Sequence, residues 1–311
     1  MVTAKGDLYT FGCGQHNRLG MGDMGFDAHN SAVPTEVPTL RKQDIKHVAV
    51  GGFHMAAVTD SGAVFTWGRP SSGALGHANA APGIPTAVDP AHFKGEKVVS
   101  VEAGRGHTLA LTASGKVFSW GSGTDGALGH GDKIARREPA EVVGVAAAGG
   151  GRAVAIACGR DFSMVLLEDG TLQSFGADDY GQLGQGRVSR YVRKPQSIAA
   201  LREEGVVSIA AGEFHAAAVT ADGRVFSWGM GKEGQLGHGL SENRSHPLVI
   251  EALEGKAISK VSCGGGHTAF VGANGALLVC GRGRSGQLGQ GDTGLSVAAY
   301  RTVPAEVRVC V

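Results

Sequence analysis

The sequence predicts an all-β chain, a β-propeller of six ~53-residue repeats with four short antiparallel strands per blade. Three observations carry this. A glycine closing an aromatic segment recurs at Gly12, Gly68, Gly121, Gly176, Gly229 and Gly281, at spacings of 56, 53, 55, 53 and 52 residues. Each repeat holds short segments rich in Val, Ile, Phe and Trp, separated by Gly, Asp or Ser turns, which is the pattern of strands. Glycine supplies 52 of 311 residues, more than double the usual share of about 7%, without the G-X-Y period of collagen.

The third repeat shows the elements in order. EKVVSVEAG (Glu96–Gly104) is β-branched and alternating, and HTLALT (His107–Thr112) follows after a two-residue break. ASG then turns the chain into KVFSWG (Lys116–Gly121). TDSG, LEDG, TADG and GANG fill the same turn in other repeats, and Asp-Gly or Asn-Gly suits a tight hairpin. A polar loop follows, with room for a short helical turn after G-x-L-G, and PAEVVGV (Pro139–Val145) opens the next repeat. Small residues let neighbouring sheets approach: one ring position reads Val50, Ala103, Cys158, Ala211 and Cys263, so both cysteines read as small core residues. Trp67, Trp120 and Trp228, each before a strand glycine, read as blade core.

The repeats fill the chain with no linker between them, so residues 1–311 read as a single propeller domain. Aligning Gly6 with Gly115 places Met1 inside a His-bearing strand, and PAEVRV (Pro304–Val309) aligns with PAEVVGV. One strand and half of another are then missing where the ends meet. The expectation is an incomplete closing blade: either a fragment of a longer chain or a ring closed by a three-stranded blade.

Charge and cysteine use exclude several classes. Lys plus Arg is 29 and Asp plus Glu is 28, so the net charge is 29 − 28 = +1, which gives no global pull toward nucleic acid or anionic lipid. No apolar run approaches the roughly 20 residues of a membrane helix, and MVTAKGDLYTFG lacks the apolar region of a secretory signal. Cys13, Cys158, Cys263, Cys280 and Cys310 form no C-x-x-C pair, which points to reduced thiols in a cytoplasmic or nuclear protein.

A glycine motif begins at Gly126, Gly181, Gly234 and Gly286 (GALGHG, GQLGQG, GQLGHG, GQLGQG). Asn17 stands at that position in NRLGMG, and Asn is the best non-glycine substitute for left-handed backbone geometry. No G-K-[ST] follows, so a phosphate loop is not indicated. The motif leucines (Leu19, Leu75, Leu128, Leu183, Leu236, Leu288) are expected to plug the seam between blades. His54, His107, His215 and His267 recur, with Phe162 breaking the series. Residues one blade apart are too distant to share an ion at ~2 Å, so each His is expected to bond a backbone carbonyl within its own blade. No metal, no cofactor and no catalytic constellation is read.

Taken with their spacing, AGRGHTLAL, GKVFSWG and GALGHG in one repeat, and AGEFHAAAV, GRVFSWG and GQLGHG in another, resemble the regulator of chromosome condensation repeat family. The resemblance covers essentially the whole chain. Kelch repeats share the length but not this glycine pattern, and no Trp-Asp pair supports a WD reading. Plant ultraviolet-B receptors share the fold but carry tryptophans in G-W-R-H-T, where this chain has GGFH, GRGH, GEFH and GGGH.

Variable loops lie between the strand glycine and G-x-L-G: CGQH, RPSS, SGTD, ADDY, MGKE and RGRS. A fixed frame with varying loops is the pattern of a recognition surface, and equally of an inert solvated face. The candidate partner-binding residues are Asp178, Asp179, Tyr180, Lys232, Glu233, Arg282 and Arg284, whose mixed signs suit protein partners rather than nucleic acid or membrane. The expected function is a non-enzymatic protein-interaction scaffold. The resemblance implies an alternative, guanine-nucleotide exchange on a Ran-type small GTPase, although the wedge-like insertion that exchange requires has no convincing match here.

Overall fold

The computed structural model describes residues 1–22, 30–77, 83–146, 151–290 and 300–307; Cys310 and the end of PAEVRV lie outside them. The described chain is all-β, with five four-stranded antiparallel sheets and one two-stranded sheet. In chain order, the two-stranded sheet pairs Tyr9–Gly12 with Ser31–Glu36 (blade 1). A bridge between Val2 and Leu8 extends it. Blade 2 comprises Ile45–Val50, His54–Thr59, Val64–Gly68 and Thr86–Ala87. Blade 3 comprises Val98–Ala103, His107–Thr112, Val117–Gly121 and Arg136–Glu141. Blade 4 comprises Ala153–Cys158, Phe162–Leu167, Leu172–Ala177 and Tyr191–Ser197. Blade 5 comprises Val206–Ala211, His215–Thr220, Val225–Gly229 and Arg244–Val249, and blade 6 comprises Ile258–Cys263, His267–Gly272, Leu277–Arg282 and Tyr300–Glu306.

Two sequence expectations shift. PAEVVGV does not open the next sheet: Ala140 lies opposite Ser119 and Glu141 opposite Phe118, so its first residues complete the outer strand of blade 3. Among the described residues no short helical turn directly follows G-x-L-G. Four 3-10 turns instead follow the outer strands, at Pro38–Leu40, Pro90–Phe93, Ala199–Leu201 and Glu251–Leu253, and each buries one anchor: Leu40, Phe93, Leu201 or Leu253.

The second strand of each of blades 2 to 5 is buried along its whole length. A strand with neighbouring sheets on both faces has no solvent side, so polar alternation disappears and small residues replace it, as in HMAAVT and HAAAVT. The core therefore lies between blades. One cluster joins Val58 and Val64 of blade 2 to Val98, Val101, Phe118 and Trp120 of blade 3. Another joins Phe162, Met164 and Leu183 to Ala218, Phe226 and Trp228 of blade 5.

The motif glycines make this packing possible. Gly76 has φ +73, and a Cβ there would stand 2.8 Å from Trp120 Nε1 of the next blade. With no side chain in the way, Trp120 Nε1 donates to Ala74 O at 2.8 Å. Asn17 indeed takes φ 58, the left-handed geometry that its glycine counterparts adopt. No helix among the described residues is long and apolar enough to cross a membrane.

Candidate functional site

Antiparallel order puts two sets of loops on one face of the array: those joining the first and second strands, and those joining the third and outer strands. The first set surrounds the axis. Gly52 N donates to Gly104 O at 3.0 Å, Arg105 N to Arg160 O at 2.9 Å, Arg160 N to Glu213 O at 3.1 Å and Glu213 N to Gly265 O at 3.3 Å. These bonds tie five blades into one rim. The rim borders a cavity of about 470 Å³ lined by the first loops of blades 2 to 6, among them Phe53, Arg105, Arg160 and Glu213. Cys158 and Cys263 also line it. Burial pushes the Cys263 thiol up to about 12 and Cys158 higher than its ordinary value, so both stay protonated and poorly nucleophilic.

Beneath the rim, the repeat histidines latch blade to blade. His54 Nε2 lies 2.8 Å from Thr108 Oγ1, His107 Nε2 3.0 Å from Ser163 Oγ and His215 Nε2 2.8 Å from Thr268 Oγ1. Each hydroxyl donates back to a carbonyl of the G-x-L-G motif: Ala74, Ala127 or Gln235. A hydroxyl has one proton, already given to that carbonyl, so the imidazole Nε2 must be the donor. Burial keeps the rings neutral: it depresses His54 to about 3, His107 to about 4 and His215 to about 3. This corrects the expectation of a carbonyl partner within the same blade, because the bond reaches the next blade. Phe162 faces the same junction, and the next blade there offers Ala216 instead of a hydroxyl, so donor and acceptor are lost together. Among the described residues no cluster of three His, Cys, Asp or Glu side chains could hold a metal.

The other repeat residues are also structural. Gly126, Gly181 and Gly234, with φ of 83, 78 and 76, lie against backbone of the next blade at Arg193, Ser245 and Arg301. Gly286 shares the geometry with φ 77.

The seven candidate binding residues divide. Asp178 is fully buried. Its Oδ1 accepts from Leu183 N at 3.0 Å and its Oδ2 from Ser189 N and Ser189 Oγ at 2.9 Å. It staples its own loop and does not face solvent, which corrects its reading as a surface contact. Burial still holds its carboxyl above the ordinary value, against the pull of those bonds. Asp179, Lys232, Arg282 and Arg284 are exposed. Tyr180 packs edge-on against Phe214, with centroids 5.1 Å apart. Glu233 Oε1 lies 3.8 Å from Arg282 Nε, which joins blades 5 and 6.

Sequence reasoning missed the axial residues Phe53, Arg105, Arg160, Glu213 and Phe214. The signal was present in the two variable residues before each repeat histidine. Arg160 stacks over Phe214 at 5.0 Å and pairs with Glu213 at 2.7 Å. Rings, charges and a cavity thus meet on a rigid rim, an arrangement that can grip side chains of a partner but positions no activated nucleophile.

The comparisons agree with this architecture. The family model of the RCC1-like domain matches residues 1–310. The human E3 ubiquitin-protein ligase HERC2 is 36% identical over 269 residues, which are 86% of this chain but 5% of HERC2, so the chain spans a small part of that relative. Human WBSCR16 superposes with a TM-score of 0.78 at 23% identity, covering 96% of this chain and 77% of that one. Prp20p of Saccharomyces cerevisiae, studied for its binding to Gsp1p and histones, superposes with a TM-score of 0.62 at 22% identity, covering 98% and 86%. With the repeat, the sheets and the family match in agreement, the chain belongs to the RCC1-like domain family.

Proposed function

We propose that the chain is a non-enzymatic protein-interaction module, one propeller domain acting in the cytoplasm or nucleus, whose axial face carries the binding loops. The observation behind this reading is the rim itself. Backbone hydrogen bonds fix its frame, while its outward residues change from Gly52 to Arg105, Arg160, Glu213 and Gly265. Rigid loops with varied side chains bind without a large ordering cost. Asp179, Tyr180, Lys232, Glu233, Arg282 and Arg284 form the outer ring of the same face.

A second reading is exchange on a Ran-type GTPase. It draws support from Prp20p, which shares the fold and was studied for binding to Gsp1p. Exchange requires tighter binding to the nucleotide-free GTPase than to the GDP form. Affinity capture from lysate, run beside nucleotide release from a panel of GDP-loaded small GTPases, separates the two. The module reading expects protein partners and little acceleration. Strong acceleration with one GTPase, lost on substituting Arg282 and Arg284, would replace it with the exchange reading.

A further inference from the structure

Charge is unevenly distributed over the axial face. Phe53, in the first loop of blade 2, is half-buried. Two guanidiniums share its ring: Arg69 Cζ lies 5.1 Å from the centroid and Arg105 Cζ 5.5 Å. The His16 ring meets Phe53 edge-on at 5.2 Å. Arg18 is pinned beside the same loop, with Nη1 donating to Gly52 O at 2.8 Å and Nε to Gln15 O at 3.0 Å. Arg69 and Arg105 are both exposed.

On blade 5 the same device is neutralised: Arg160, stacked on Phe214, pairs with Glu213 at 2.7 Å and Asp161 at 3.4 Å. Around Phe53 no such pairing occurs. The ion pairs within 4.0 Å among the described residues include none made by Arg18, Arg69 or Arg105. Asp161 feels Arg105 but is already paired with Arg160. The crowding of positive charge also shows in His16, held below its ordinary value by burial and by Arg69 and Arg18.

We propose that the Phe53–Arg69–Arg105 patch, with Arg18 behind it, is the docking site for an acidic, carboxylate-bearing segment of a protein partner. This deepens the interaction-module reading and rests on it. The exposed guanidiniums present planar forks that match carboxylates. Phe53 adds an apolar platform for the residue beside the acid, and the axial cavity, which Phe53 and Arg105 line, gives depth for a side chain. A nucleic acid fits less well: Asp161 lies beside Arg105 and Arg160, and Glu213 pairs with Arg160, so acidic groups interrupt the basic surface a phosphate backbone would follow.

The test is to pan a random-peptide display library against the wild-type protein and against the double variant Arg69→Glu/Arg105→Glu. The strongest clone is then titrated as a labelled peptide. Both side chains are exposed, so the fold is expected to survive, which the unfolding midpoint checks; Arg69→Gln/Arg105→Gln provides a milder variant. The expected result is enrichment of Asp and Glu in the recovered peptides, binding that weakens with salt, and a loss of about ten-fold or more in the charge-reversed variant. Recovered peptides without acidic enrichment, affinity in the double variant within about two-fold of wild type, or an oligonucleotide of equal charge competing for the site would each overturn it. If acidic peptides fail while affinity capture still yields partners, the patch assignment falls and the interaction module stands. If capture also fails, both fall.

Discussion

His107 of blade 3 and Ser163 of blade 4 meet at 3.0 Å across the blade junction, and Ser163 passes the bond on to Ala127 O at 2.8 Å. One side chain thus links two sheets to the glycine motif between them. His107→Ala is expected to lower stability by about 1–3 kcal/mol, the cost of leaving a buried polar partner unsatisfied. In a double-mutant cycle with Ser163→Ala, urea unfolding is expected to give a coupling of about 0.5–3 kcal/mol. Additive losses would mean that the two side chains act independently.

The junction without the latch offers the converse test. Phe162 and Ala216 occupy the two positions where other blades place His and Thr or Ser. Phe162→His alone is expected to destabilise, because it buries an imidazole with no partner. Ala216→Thr is expected to recover part of that loss in the double variant, though not in wild type. Equal effects of Ala216→Thr in both backgrounds would show that no latch forms.

The buried histidines also set a pH response. His54, His107 and His215 titrate at about 3, 4 and 3 instead of 6.5. Below pH 6.5 the unfolded chain takes up protons that the folded chain refuses, so their contribution is complete above that value and falls away toward pH 4. Glu102, raised to about 7 from 4.5 by burial, opposes this between those values, because it stabilises the fold at the acid end. The comparison of interest is therefore a difference: melting temperature between pH 6.5 and 4 is expected to fall less steeply in His107→Gln than in wild type. Parallel profiles would contradict the neutral latch.

Gly184 sits at φ +70, and a Cβ there would stand 2.9 Å from Trp228 Nε1. The left-handed backbone alone costs a non-glycine residue about 1–2 kcal/mol. Gly184→Ala must also disturb the bond from Trp228 Nε1 to Gln182 O, now 2.9 Å. Its loss on chemical unfolding is expected to exceed that of Gly205→Ala, where φ is positive but nothing lies within 4 Å. Equal losses would remove the seam role assigned to the motif.

Much of this architecture was legible in the sequence because it repeats. The strand glycines mark the third strand of each of blades 2 to 6, and Asn17 in place of glycine points to the backbone geometry of the motif. The latch was not legible. His107 and its partner Ser163 lie 56 residues apart, and nothing local says which neighbour an imidazole will face. Asp178 misled for a related reason. A charged residue in a variable loop reads as exposed, and only the fold shows Leu183 and Ser189 closing around it. Phe53 and Arg69 escaped notice because their meeting depends on two separate loops of one blade.

Partner binding at the axial face is tested by hydrogen–deuterium exchange on the complex with a captured partner. The expected result is protection at the first loops of blades 2 to 5, around residues 52–53, 105–106, 160–161 and 213–214, with the hairpin turns of the opposite face unchanged. Protection confined to those hairpins, at residues 60–62, 113–115 and 221–223, would contradict it.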